Sequence, residues 1–206
     1  MTTGGIVLCG GRSERMGRPK VMLPFGPETM LQRVARLLGA LGGPLVVVAA
    51  VGQELPQLGP AIRVVRDRRP DRGPLEGLRA GLESLQDEVD GAYVTGCDVP
   101  LLVPGFVRRM VELAAGFDVA VPHVDGHDEP LAAVYRTGVL AQVEALLAAD
   151  RLRPAFLFDL VRTRRVTANE LTDVDPDLLS LANVNSPAEY AAALLRAGLA
   201  APREPL

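Results

Sequence analysis

The sequence predicts an α/β fold: a doubly wound, mostly parallel sheet flanked by helices on both faces, in three layers. Three observations carry this prediction. Short apolar runs rich in β-branched residues recur at 6–8, 45–51, 62–65, 91–97, 117–121 and 131–135, the pattern of strands buried on both faces. Most are separated by stretches with apolar residues at helical spacing. The crossovers run to a dozen residues or more, as parallel neighbours require.

The first strand ends in LCGGRSERMGRPKVMLPFG, residues 8–26. Gly10 and Gly11 stand where the chain leaves the strand and can turn through positive φ. Arg12, Arg15, Arg18 and Lys20 then fall within nine residues, broken by Gly17 and Pro19. A glycine-rich turn exposes backbone N–H groups, and the cations add formal charge; both favour a polyphosphate. Lys20 is the only lysine in the chain. A compact ammonium kept in a sequence otherwise devoted to arginine suits a phosphate better than a solvated surface. The loop is not a P-loop, because Val21 follows Lys20, and it lacks the glycine spacing of a dinucleotide fingerprint.

Residues 29–41 carry apolar side chains at Met30, Leu31, Val34, Leu37, Leu38 and Leu41, a helix ended by Gly42-Gly43-Pro44. A short helix is expected over 53–58. The strand at 62–65 delivers Asp67 at its end, and 66–73 is dense in charge. In 73–85, Leu75, Leu78, Leu82 and Leu85 share a helical face, while Gly73, Gly77 and Gly81 recur every fourth residue. Two readings are open: close packing of the helix on the sheet, or room for a flat base beside Gly73 and Gly77. The strand at 91–97 ends in Asp98-Val99-Pro100. Helices are expected at 103–115, 139–149 and 154–161, and short strands near Val166 and Leu171. Residues 162–165 form a basic cluster. Ser186, Pro187 and Glu189 mark a helix start, with the helix reaching about 197. Residues 200–206 read as a frayed tail.

The 206 residues suit one domain over 1–206. A net charge of -3, five Phe, three Tyr and no Trp argue against a nucleic-acid partner. No apolar run approaches the roughly 20 residues of a membrane helix, and 1–5 lack a signal-peptide pattern. A cytoplasmic protein is expected. Cys9 and Cys97 each end an apolar run and read as buried free thiols, and no Cys/His metal cluster is visible.

In an open parallel sheet, ligands sit beyond the carboxyl ends of the strands. The loop with Lys20, Asp67 and Asp98 all arrive there. A carboxylate beside substrate phosphates is what Mg²⁺ takes, with few protein ligands and several waters. That makes Asp98 the candidate metal ligand; its bland alternative is a helix cap or Asx-turn. For Asp67 the alternative is a loop carboxylate paired with an arginine.

LCGGRSERMGRPK, the strand-end Asp67, GPLEGL, CDVPLL and LANVNSPAEY occur in one order over about 5–195. In this the chain resembles the molybdenum cofactor guanylyltransferases, nucleotidyltransferases of a Rossmann-like fold. The resemblance implies that Leu8, Cys9, Gly10 and Gly11 bind the nucleotide through backbone, with Gly73 and Gly77 beside it. It implies that Lys20 contacts the phosphates with support from Arg15, that Asp67 contacts the nucleoside, and that Asp98 contacts nucleotide and Mg²⁺. Asn183 and Asn185 fall in the acceptor region. Residues 1–100 would be the nucleotide-binding half and 101–199 the pterin half. Cys9 stands where the family often has Ala, and Ala49 where it often has a nucleotide-contacting Asn.

The implied reaction transfers GMP from GTP to the phosphate of molybdopterin, releasing pyrophosphate. An already ionised phosphate nucleophile needs no strong base, in keeping with only two histidines, His123 and His127, read as exposed or at most pterin-side contacts. The expected protein is a monomer with transient contacts to molybdoenzyme maturation proteins. The rival readings are a relative using CTP or another triphosphate, and a nucleotide-binding maturation partner without turnover.

Overall fold

The computed structural model describes residues 1–10, 19–67 and 72–200. One sheet organises it, in the order β10-β7-β9-β6-β1-β4-β5, with the short β8 paired to β7. The strands are β1 (Thr3–Leu8), β4 (Leu45–Ala50), β5 (Ile62–Asp67), β6 (Gly91–Gly96), β7 (Val119–Val124), β8 (His127–Asp128), β9 (Ala132–Arg136) and β10 (Thr163–Thr167). A small separate hairpin joins β2 (Pro24–Phe25) to β3 (Glu28–Thr29). The helices are α1 (Met30–Gly39), α2 (Gly73–Leu85), α3 (Pro104–Leu113), α4 (Leu140–Ala148) and α5 (Pro187–Arg196).

The parallel core holds as expected. β1 pairs in parallel with β4 and β6, and β4 with β5. Only β9 and the two-residue β8 run against the sheet, β9 antiparallel to both β6 and β7. A hairpin explains the reversal: Asp125 and Gly126 both have positive φ, 51° and 80°, the geometry of a tight turn that returns the chain antiparallel.

Alternation puts each strand into two cores. Val7, Val47, Tyr93 and Val134 pack with α1 and α3. Ile6, Val46, Val94 and Ala133 pack with α2 and α4 on the other face. Small residues allow α2 to approach closely. A Cβ at Gly81 would lie 2.7 Å from Ile6 Cγ2, and one at Gly77 3.3 Å from Leu8 Cδ2. Packing therefore accounts for Gly77. Gly73 has φ +68° at the helix start, which favours glycine on its own account.

Three local expectations are corrected. Residues 53–58 form no helix, in keeping with Pro56, which disfavours an α conformation at Leu55. Residues 154–161 give only a 3-10 turn, Pro154–Leu157. The strand near Leu171 is absent; that residue follows a 3-10 turn, Ala168–Glu170, held by a Thr167–Glu170 capping box. The hairpin β2–β3 was not anticipated. The final helix starts as expected, with Ser186 Oγ accepting from Glu189 N–H at 3.3 Å. The tail beyond residue 200 lies outside the described residues.

α5 has a particular task. Its Tyr190, Ala193 and Leu194 form a third core with Leu23, Phe25 and Met30. Tyr190 meets Phe25 edge-on at 6.4 Å between centroids and donates its hydroxyl to Pro24 O. The C-terminal segment is thereby tied to the chain just after Lys20.

Candidate active site

Because β1, β4, β5, β6, β7 and β10 run the same way, their carboxyl ends share one edge of the sheet. Three segments distant in sequence meet there. Lys20 opens a 3-10 turn, Lys20–Met22, after Pro19. Asp98 follows β6. Asn185 precedes α5, and its segment is stitched down by a Val184 N–H donating to Asp98 O at 2.8 Å. The side chains converge: Lys20 Nζ donates to Asp98 Oδ2 at 2.9 Å and to Asn185 Oδ1 at 2.6 Å. Both members of the ion pair are mostly buried, with side chains 15% and 22% exposed.

Gly96 leaves room beside this cluster. A Cβ at position 96 would meet Asp98 Oδ1, so the carboxylate folds back over its own strand end in the space a side chain would take.

Leu8 and Cys9 lie at the same edge with their backbone engaged. Leu8 O accepts from Cys97 N–H, Cys9 N–H donates to Val48 O, and Cys9 O accepts from Gln53 Nε2 at 3.0 Å. Gly10 is exposed, and a Cβ there would meet none of the described residues within 4 Å. Gly11 and Arg15, with Arg12 and Arg18, lie outside the described residues. Cys9 and Cys97 are free and buried. Their mutual hydrogen bond, reinforced by burial, pushes the Cys9 thiol far above its usual range, so it stays protonated and unreactive.

Asp67 ends β5, paired with Ala50 on the neighbouring strand. Gln53 was missed in the sequence. Its Oε1 accepts from Ala50 N–H at 3.0 Å while its Nε2 holds Cys9 O. It brings an amide to the strand end where Ala49 lacks one. Arg66 braces the same turn, donating to Ala50 O and Gln53 O at 3.0 and 2.8 Å. Asn183 is exposed and has no hydrogen-bond partner among the described residues.

The basic cluster at 162–165 does not act as a unit. Arg162 lies at the amino edge of the sheet and forks onto Asp118 at 3.0 and 2.9 Å. Arg164 pairs with Glu170 at 2.9 Å. Arg165 reaches Asp128 at 3.1 Å. A groove of about 740 Å³ opens at that amino edge, lined in part by Asp90, Asp118, Arg136 and Arg162. It is on the far side of the sheet from Lys20 and Asp98.

Asp98 and Asn185 offer hard oxygen donors beside a cation. One carboxylate plus substrate phosphates fits Mg²⁺, which uses few protein ligands. Among the described residues no group of three or more His, Cys, Asp or Glu could hold a metal alone.

Residues 5–164 match the family model described as the MobA-like NTP transferase domain. The chain belongs to that family. Over 94% of its length it is 34% identical to a protein of Pelotomaculum thermopropionicum named probable molybdenum cofactor guanylyltransferase, covering 92% of it. Among solved structures it resembles the molybdopterin-guanine dinucleotide biosynthesis protein A of Archaeoglobus fulgidus. The TM-score is 0.77 at 19% identity, covering 95% of this chain and 98% of that one. Rv0371c of Mycobacterium tuberculosis H37Rv in complex with manganese is similar at TM-score 0.57 and 17% identity, covering 81% and 88%. These two structures bear on the fold alone. Lys20 and Asp98 of this MobA-like chain lie at the carboxyl edge of the sheet, the edge where open α/β sheets take their ligands.

Proposed function

We propose that this protein transfers GMP from GTP to the phosphate of molybdopterin, releasing pyrophosphate and forming the guanine dinucleotide cofactor. The observation that carries the reading is the convergence of Lys20, Asp98 and Asn185. These residues come from the signature loop, the β6 end and the LANVNSP segment, each of which the family resemblance singles out. The relatives' names support the same activity.

In the reaction, an oxygen of the acceptor's phosphate attacks the α-phosphorus of GTP in line. The bond from that phosphorus to the bridging oxygen of the β-phosphate breaks, and pyrophosphate leaves. The nucleophile is already an anion, so the chain need not supply a base. Its work is to position two anions and offset their repulsion. Lys20 lies against Asp98 and swings its ammonium toward the phosphates as they enter, while Asn185 keeps it oriented. Asp98, with Asn185 Oδ1 nearby, would hold a divalent cation, which we take to be Mg²⁺. When bound, that cation adds positive charge at the phosphates. That a structural relative was solved with manganese is in keeping with a divalent ion.

The nucleotide sits over residues 1–100, with Gly10 and Gly11 giving backbone approach, Arg15 supporting Lys20, Asp67 facing the nucleoside and Gly73 and Gly77 beside the base. The acceptor lies over 101–199, with Asn183 and Asn185 at its border. No helix among the described residues is long and apolar enough to cross a membrane. A monomeric cytoplasmic enzyme, touching molybdoenzyme maturation proteins transiently, completes the proposal.

The test is pyrophosphate release from purified protein with molybdopterin, Mg²⁺ and each nucleoside triphosphate in turn. GTP is expected to be preferred. Equal or better use of CTP would overturn the choice of guanine.

A further inference from the structure

The acceptor half contains a built feature that the reaction above does not use. β7 pairs with β9 at Val119↔Tyr135 and Ala120↔Val134, but with β8 at His123↔Asp128. Between those pairings the β8–β9 side carries three more residues than β7 does. The surplus falls in Glu129-Pro130-Leu131, a bulge on the strand that neighbours β6. β9 pairs with β6 up to Thr95↔Ala132, so the bulge leaves the sheet one strand over from the turn that carries Asp98. Bulges at strand ends re-aim side chains and gather next to active sites.

The bulge is held firmly. Tyr135 Oη donates to Pro130 O at 2.9 Å, and Glu129 N–H donates to Pro122 O at 2.9 Å. Asp128 beside it is saturated, taking His123 Nδ1 at 2.7 Å and Arg165 Nε at 3.1 Å. Glu129 differs. It is partly buried, and among the described residues its carboxylate takes no hydrogen bond. Burial raises its pKa, and His127 nearby only partly opposes that. A half-buried carboxylate with no hydrogen bond from the protein is open to a ligand that brings paired donors.

We propose that Glu129 receives the 2-amino-4-oxopyrimidine edge of the acceptor's pterin ring, with His123, fixed by Asp128, flanking the ring. The inference rests on the reading of the acceptor as molybdopterin. The amino N–H and the adjacent ring N–H of a pterin lie side by side and match the two oxygens of a carboxylate, a bidentate fit. His123 Nδ1 is committed to Asp128, which leaves Nε2 to face the ring. The acceptor would then stretch along the sheet edge, its phosphate at Lys20 and Asp98 and its heterocycle at the bulge.

The test is fluorescence titration of the wild-type protein and Glu129→Gln with 6-hydroxymethylpterin phosphate and with its lumazine counterpart, where oxygen replaces the 2-amino group. Wild type is expected to prefer the pterin about tenfold or more, the scale of a charged hydrogen bond. The variant should lose that preference while its affinity for GTP stays unchanged. Equal binding of the two probes by wild type, or an unaltered preference in Glu129→Gln, overturns the inference. Guanine carries the same donor edge, so the same pair of proteins is titrated with GTP and ITP. A preference for GTP that vanishes in Glu129→Gln assigns Glu129 to the nucleotide and also overturns the inference. Pyrophosphate release with GTP and molybdopterin separates the two readings. Turnover by a protein indifferent to the 2-amino group sinks this inference alone. Glu129-dependent pterin preference without turnover sinks the transferase reading alone.

Discussion

The two edges of the sheet carry the same chemical elements and use them differently. At the amino edge, Asp118 accepts from Arg162 through the backbone N–H and two guanidinium nitrogens, at 3.0, 3.0 and 2.9 Å. One neighbour fills the carboxylate with a fork-shaped partner. At the carboxyl edge, one ammonium is shared between Asp98 and Asn185, groups 78 and 165 residues away along the chain. A point charge shared between two segments adapts to a third anion far more readily than a saturated fork. The amino-edge pair closes the sheet at the start of β7 and β10, whereas the carboxyl-edge cluster joins segments far apart along the chain.

The largest effect should separate these edges outright. Asp98→Asn keeps the shape and the backbone carbonyl that accepts from Val184, but removes the charge. Pyrophosphate release is expected to fall by about 10²–10³-fold, the scale of losing one preorganised electrostatic contact in a transition state. Asp118→Asn should leave the rate within a factor of two or so. Steady-state rates for both variants at saturating GTP check this. Equal losses would mean that the comparison between edges carries no functional content.

A smaller effect is expected from Asn185→Ala. It deletes the 2.6 Å acceptor of Lys20 while α5 stays docked through Tyr190 and Leu194. Turnover should drop by about tenfold, the order of one hydrogen bond to a charged group. Thermal unfolding should shift little, because Asn185 is exposed. A large fall in melting temperature with no change in rate would make Asn185 structural.

Much of this was legible beforehand because the signals were local. The lone lysine stood shortly after a buried strand. The N-cap of α5 was spelled out by Ser186, Pro187 and Glu189, and α2 by its leucine face. What could not be read was set by contacts between distant segments. Gln53 takes up its place by bridging Cys9 and Ala50, and no periodicity encodes that. The reversed direction of β9 is invisible in hydrophobic pattern, which is the same for either sense of a buried strand. Its one local trace was the Asp125-Gly126 pair, a hairpin signal in VDGH. The 154–161 stretch looked helical by apolar content, yet Pro154 and the short path back to β10 at Thr163 left room for a single turn. Residues 162–165 looked like one basic patch because linear order hides strand alternation. In the fold, Arg162, Arg164 and Arg165 face three separate acids.

The smallest effect concerns the amino edge and is one of stability. The Arg162 guanidinium, hydrogen-bonded to Asp118, holds that carboxyl below its ordinary value. A depressed native pKa means that the unfolded chain binds the proton more readily. The pair therefore stabilises the fold above the unfolded carboxylate pKa of about 4, and the contribution is lost as pH falls through the native value. Arg162 is 68% exposed, so solvent screening keeps the effect modest. Asp118→Asn should unfold at slightly lower urea concentration than wild type at pH 7, and the two midpoints should converge as pH drops below about 4. Urea titrations at pH 7, 5 and 3 measure it. A gap that stays constant down to pH 3 would trace the loss to the hydrogen bonds of the side chain instead of its charge. The amino edge would then be held by geometry alone, with charge left as the distinguishing resource of the edge that carries Lys20 and Asp98.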